Sequence, residues 1–216
     1  METSSRFQVT QLTAINSAKT LTLFIILSLA IVYGIHDARQ VIYLCLHGGY
    51  CCWWLLEQYL FPSRKDSLFT EEVNISTFTI LLLFIGILYA LPALFAFTNQ
   101  TPLGYIPMAI TLLLYTFGSL INTAADVQKM TAKNMGAKLV NTEIWRSVRN
   151  VNYLGDLMRY TSFAVVSGSL WSAILPVTVL VLYVQRILDK EKSMSEKYPD
   201  FSQYQQQSTR LIPWVW

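Results

Sequence analysis

The chain has 216 residues, of which 53% are hydrophobic and 13% charged, and carries a net charge of +3. Soluble domains carry roughly 25% charged residues, so this composition leaves too little polar surface to cover a water-soluble fold. Several apolar runs approach the roughly 20 residues that a spanning helix needs. An all-α integral membrane protein follows, with the bilayer as its surroundings and no nucleic-acid partner.

Six runs follow in chain order: Leu21 to Ile35, Val41 to Phe61 ending at Pro62, Ile75 to Phe97 with Pro92 near its far end, Leu103 to about Ala124, and two more between Tyr153 and Val184. Pro107 suits the first turn of the fourth, where a missing N–H costs nothing. The last stretch is too long for one span, and Ser167-Gly168-Ser169 near its middle predicts a tight turn between two helices. About six spans are therefore expected, within a range of five to seven.

Lysine and arginine give a second, independent reading, because cytoplasmic loops carry an excess of them. With both termini cytoplasmic, six crossings put Arg6 and Lys19, Arg64 and Lys65, Lys129 to Arg149 and the segment after Val184 on one side. Of the 16 basic residues Arg39 alone falls outside, counting Arg159 at the inner edge of the fifth helix. The first run lacks the charged start and cleavage site of a signal peptide and is expected to stay as a span. The protein is then multi-pass, in a bacterial inner membrane or an endoplasmic reticulum. A tail over residues 1–20 precedes one membrane domain, 21–216, whose part from 122 to 216 holds most of the charged residues.

Two glycosylation sequons, at Asn74 and Asn99, flank the third run and cannot both face a lumen. Cys45, Cys51 and Cys52 form neither a disulfide framework nor a zinc site and read as small buried hydrophobes. No metal site is expected.

Polar groups enter the apolar frame in three places. Asn122, Asp126, Lys129 and Lys133 recur every three or four residues, so they share one stripe of a helix. The stripe can face a ligand; it also fits a salt-bridged helix end with snorkelling lysines. From Trp145 to Asp156 the chain offers Arg149, whose planar guanidinium suits bidentate anion binding, with Asn152, Tyr153 and Asp156 close behind. Asn152 also fits a helix cap, with Asp156 in the first turn. Arg186, Asp189 and Glu191 then leave the last apolar run together, followed by Tyr198, Tyr204, Arg210, Pro213 and Trp214-Val215-Trp216. The aromatic residues also suit anchoring at a membrane interface.

Taken together, these segments resemble the catalytic part of the sterol reductases and the steroid-5α-reductase-like membrane proteins. Residues 125–133 are similar to the family segment Asn-x-Gln-Lys-x-x-x-Arg, with Gln128 and Lys129 in place, Asp126 where asparagine is usual and Lys133 where arginine is usual. Residues 145–156 are similar to Trp-x-x-x-Arg-His-Pro-Asn-Tyr-Leu-Gly-Asp and keep Trp145, Arg149, Asn152, Tyr153, Gly155 and Asp156. Arg186, Glu191, Tyr198, Tyr204, Arg210 and Pro213 match the family's closing signature. Asn150-Val151 replaces His-Pro, which removes a titratable group.

The resemblance implies that residues 122–216 are the cofactor-binding part, with a cytoplasm-facing NADPH site beside a lipid-accessible cavity, and reduction of a carbon–carbon double bond in a sterol-like or other lipid substrate. By position, Lys129, Lys133, Arg149 and Arg186 would neutralise cofactor phosphates. Asn152, Tyr153, Asp156 and Glu191 would orient the sugar and nicotinamide, with Asp126, Gln128, Trp145, Tyr204 and Arg210 completing the cofactor set. Related methyltransferases bind S-adenosylmethionine in the corresponding place and carry a Glu-Glu pair where this chain has Lys190-Glu191. That cofactor has no phosphate, so the basic stripe favours the reductase. A non-catalytic lipid-binding protein is the third alternative. For the proton that must accompany a hydride, Glu57 is the expected donor, because burial in an apolar span keeps a carboxyl protonated; Tyr153 and Asp156 are the other candidates.

Overall fold

In a computed structural model, residues 9–62, 65 and 69–216 are described; Arg6 and Arg64 of the topology reading lie outside them. Six helical segments follow the six apolar runs: α1 (Gln11–Tyr33), α2 (residues 38–60), α3 (Ile75–Thr98), α4 (Tyr105–Asn134), α5 (Val151–Ser167) and α6 (Leu170–Lys197), with a short α7 (Phe201–Gln207) after them. Sheet is confined, among the described residues, to β1 (Val9–Thr10) against β2 (Glu72–Val73), antiparallel. α1, α3, α4 and α6 are each long and apolar enough to cross a membrane. The chain is thus an all-α, multi-pass integral membrane protein. Of the two remaining segments, α5 is only 17 residues long and carries Asp156 and Arg159, and α2 is interrupted by a π-helical turn, Leu44–Gly48.

The chain folds as two compact units, residues 1–105 with 166–172 and residues 106–165 with 173–216. In the first unit, α1 begins at Gln11 rather than Leu21. Thr10 caps it, its hydroxyl accepting from Thr13 N at 3.2 Å. Its first half is amphipathic, burying Ala14, Ile15 and Ala18 at helical spacing. The polar face of that half lowers its mean hydropathy, which is why the apolar run begins later than the helix.

α3 changes its winding twice, through a π-helical turn at Leu82–Ile87 and a 3₁₀ turn at Leu88–Ala90. Pro92 explains the second change, since it has no N–H for the carbonyl four residues earlier. The buried Thr22 hydroxyl donates to Ile85 O at 2.7 Å inside the π turn and to Ala18 O at 3.0 Å. Gly86 permits this approach: a Cβ there would lie 2.8 Å from Leu21 Cδ2. Between these helices the buried Lys19 ammonium sits over the rings of Tyr50 (3.8 Å), Tyr89 (5.2 Å) and Trp54 (5.7 Å). Cation–π attraction of this kind offsets part of the cost of burying the charge.

Arg39, the basic residue that the topology reading left outside, is buried at another polar centre of this unit. Its guanidinium donates to Val166 O at 2.6 Å and Thr101 O at 2.9 Å. The predicted turn at Ser167-Gly168-Ser169 is present, with Gly168 at φ +69°, and a Cβ there would meet Arg39 Nη1 at 2.4 Å. Asn99 donates to Ser167 O at 3.1 Å, and Asn74 caps α3 by accepting from Thr77 N at 2.9 Å. Both sequon asparagines thus have structural work. Asp37 caps α2 and accepts from Leu103 N at 2.7 Å; this bond in particular holds its carboxyl below the ordinary range. Of the cysteines expected to be buried, Cys51 is, whereas Cys45 and Cys52 are exposed.

In the second unit, α4 runs on past the expected end at Ala124, so the whole polar stripe is helical. Gly136 at φ +87° follows its end. α4 and α5 meet backbone to backbone: a Cβ on Gly118 would lie 2.6 Å from Gly155 O, and one on Gly155 would lie 2.6 Å from Gly118 O. Small residues allow such close helix crossings in membranes.

Candidate functional site

The C-terminal part of α4 packs through Ala125 against Trp145, Val148 and Val151. The Trp145 indole donates to Ala125 O at 3.1 Å, Gln128 donates to Thr142 O at 3.1 Å, and Asn122 donates to Asn152 O at 3.0 Å. Three of the predicted site residues, Gln128, Trp145 and Asn152, therefore fix the connection between α4 and α5. The Lys129 ammonium lies 5.4 Å from the Trp145 ring centre. Lys133, on the same stripe, is exposed and bends away to the Lys138 carbonyl and the Tyr198 ring, 5.8 Å off.

The segment before α5 is joined to the segment after α7. Val148 and Thr209 form a parallel bridge, with Arg149 N donating to Thr209 O at 2.9 Å and Thr209 N to Ser147 O at 2.9 Å. The Tyr204 hydroxyl donates to the Trp145 carbonyl, and burial, the largest influence, pushes this phenol up despite the nearby Arg149. Glu191 is buried between two arginines. It accepts from Arg149 Nε at 2.9 Å and Nη2 at 2.8 Å through Oε1, and from Arg210 Nε at 2.9 Å through Oε2. Arg149 Nη1 donates to the Ser208 carbonyl, to Ser208 Oγ at 3.0 Å and to Gln205 O at 3.2 Å.

Every nitrogen of Arg149 is thereby used inside the protein. The expectation that it faces a ligand phosphate does not match this geometry, and neither does a sugar-orienting role for Glu191. A guanidinium suited to a phosphate is equally suited to carbonyls and a carboxylate.

Sequence reasoning missed two contributors and undervalued a third. Lys190 donates to Asn150 Oδ1 at 2.9 Å, and its ammonium lies 5.7 Å from the Tyr153 ring and 5.9 Å from that of Trp145. Lys129 and Arg186 are both close enough to repel its charge. Asn150, standing where the family has histidine, is buried; its amide donates to Arg210 O at 3.0 Å while its oxygen holds Lys190. Tyr183 stacks on Tyr153 with ring centres 4.2 Å apart and donates to Asp156 Oδ2 at 2.9 Å. Asp156 is also paired with Arg159. The signal was present in α6: Tyr183, Arg186 and Lys190 fall three and four residues apart and share a helix face.

The result is an aromatic platform of Trp145, Tyr153 and Tyr183 with three cations, Lys129, Arg186 and Lys190, gathered about it. Arg186, Asp156 and Asp126 all act electrostatically on the Tyr153 hydroxyl. Glu191 in turn attracts the Lys190 ammonium, so the region carries charges of both signs. The remaining predicted residue, Glu57, belongs to the first unit, half-buried in α2, where it lines a small cavity with Leu12, Trp54, Gln58, Phe61, Lys65 and Phe69.

A Delta(14)-sterol reductase from Arabidopsis thaliana is 24% identical to the chain over 188 residues, which cover 78% of this chain and 50% of that protein. The chain therefore spans about half the length of this curated relative. A reductase-like protein at the level of the family is consistent with the polar clusters above. The sequence model of the family described as protein of unknown function DUF1295 matches residues 5–209, and the chain accordingly belongs to that family, within the sterol-reductase-like membrane proteins.

Proposed function

We propose that the protein is a membrane-embedded, NADPH-dependent reductase of a carbon–carbon double bond in a sterol-like or other lipid, with its cofactor site in the second unit. The observation that carries this reading is the gathering of Lys129, Arg186 and Lys190 around Trp145 and Tyr153. Three cations suit the phosphates of a dinucleotide, and the partly exposed Tyr153–Tyr183 pair offers aromatic surface for its flat groups. S-adenosylmethionine, itself cationic and without phosphate, is a poor match for such a cluster. Bound NADPH would supply the hydride.

The chain's own residues divide the remaining work. Lys129, Arg186 and Lys190 neutralise phosphate, Asp126 offers a carboxylate to hydroxyl groups, and Asn150 holds the Lys190 ammonium in place. Arg149, Glu191 and Arg210 position that arrangement from within without touching the ligand. Reduction adds a hydride to one carbon and a proton to its neighbour. Tyr153 is the acid of the second unit suited to donate that proton, while Asp156 steadies the stacked Tyr183 beside it. The lysine and arginine distribution puts this region on the cytoplasmic side.

Lipid extracts incubated with protein and isotopically labelled NADPH, followed by mass analysis, test the reading: labelled, reduced lipid is the expected product. Label transfer to no lipid in any extract, with NADPH shown to bind, would leave a cofactor-binding protein that is not a lipid reductase. Replacing Glu57 by Gln separates the two acid assignments. Turnover retained in Glu57→Gln but lost in Tyr153→Phe supports Tyr153, and the reverse pattern restores Glu57.

A further inference from the structure

Residues 211–216 form a turn closed by its own hydrogen bonds, with Leu211 N donating to Trp216 O at 2.7 Å, Ile212 N to Trp216 O at 3.0 Å and Val215 N to Ile212 O at 3.1 Å. The turn sorts its side chains. Leu211 is completely buried, and the Arg210 guanidinium lies 5.4 Å from the Trp216 ring centre. Ile212, Trp214 and Val215 point the other way and are 43%, 96% and 77% exposed. Trp214 has φ +61°, a left-handed conformation that a bulky residue adopts only when its surroundings impose it. An ordered, strained turn that presents tryptophan and valine outward needs a partner for them.

We propose that Ile212, Trp214 and Val215 form a loop seated in the lipid–water interface of the protein's own membrane. Depth along α6 supports this occupant. The turn starts at Arg210, which is bonded to Glu191, and Glu191 lies about two helical turns, on the order of 10 Å, beyond Val184 at the end of the apolar run. The polar layer on each side of the hydrocarbon is roughly 5–8 Å thick, so the turn starts close to headgroup level. Tryptophan is enriched at that level because its ring is apolar and its N–H polar. The exposed Arg146 and the half-buried Arg210 add positive charge that suits lipid phosphates. Through Arg210 the loop would tie the bilayer to Glu191 and Arg149, independently of any cofactor.

The test compares wild type with Trp214→Phe, a conservative surface change, each reconstituted as the full chain in phosphatidylcholine vesicles. The difference between their emission spectra isolates Trp214. Quenching of that difference by lipids brominated near the headgroup, more strongly than by lipids brominated near the chain ends, is expected. It should be insensitive to aqueous acrylamide and unchanged as protein is diluted into more lipid. Full quenching by acrylamide with no response to brominated lipid would overturn the proposal in favour of a water-facing turn. A lipid response that disappears on dilution would overturn it in favour of contact with a second copy.

Discussion

Two cationic regions of the second unit stand side by side in sequence and do opposite things. Around Glu191, the Arg149 guanidinium is taken up by the carboxylate and by backbone carbonyls, and Arg210 shares the same carboxylate through its Nε. Around Lys190, Lys129 and Arg186 act repulsively on its ammonium while Glu191 attracts it, and the proposed role of this group is to receive an anion. The comparison teaches that a motif of charged residues does not show by itself which members meet the ligand. Arg149 is buried among a carboxylate and backbone carbonyls, whereas Arg186 is exposed.

The largest expected effect comes from breaking the balanced region. Glu191→Ala leaves two arginines facing each other, and removing one partner of a buried ion pair costs about 3–5 kcal/mol. Denaturant unfolding in mixed micelles should show that loss; a variant as stable as wild type would mean that Arg149 and Arg210 are not held by Glu191. Lys129→Gln probes the other region and should behave differently. NADPH affinity should fall by about 1.5–3 kcal/mol, the range for a hydrogen bond to a charged group, with the unfolding transition of the unliganded protein unchanged. Equal affinity in a direct titration would remove Lys129 from the ligand-facing set.

The smallest effect lies in the first unit and serves as a control. The Asp37 carboxyl is held below its ordinary range chiefly by Leu103 N–H. Its contribution to stability is therefore complete above the unfolded value of about 3.9 and is lost as pH falls through the lower folded value. Wild type should lose stability over that acid window. Asp37→Asn should lose less there, and an identical acid profile in both would show that the cap does not titrate in this way.

Much of this was legible in the sequence, for identifiable reasons. The six apolar runs each became a helical segment, and Ser167-Gly168-Ser169 became the expected turn because only Gly168 fits against Arg39. The α1 start was not legible, since residues 11–20 bury one face only and depress the mean hydropathy. The π turns in α2 and α3 were hidden because they depend on partners distant in sequence, such as the Thr22 hydroxyl. At the candidate site, spacing and resemblance point to Lys129, Trp145, Tyr153 and Arg186, which lie near one another in the fold. Lys190 is not legible from the resemblance, which carries a carboxylate at its position. The partners of Arg149 are not legible either, because the sequence carries no mark of the carbonyls of Gln205 and Ser208 that receive it.

The central claim is that the Lys129, Arg186 and Lys190 group receives a phosphorylated dinucleotide. Its most direct test is the thermal unfolding of purified protein in detergent with NADPH, with NADH or with S-adenosylmethionine, because a ligand that binds only the folded state raises the transition. The account predicts stabilisation by NADPH that weakens in Lys129→Gln and falls with added salt. Stabilisation by S-adenosylmethionine alone, or by none of the three, would contradict it.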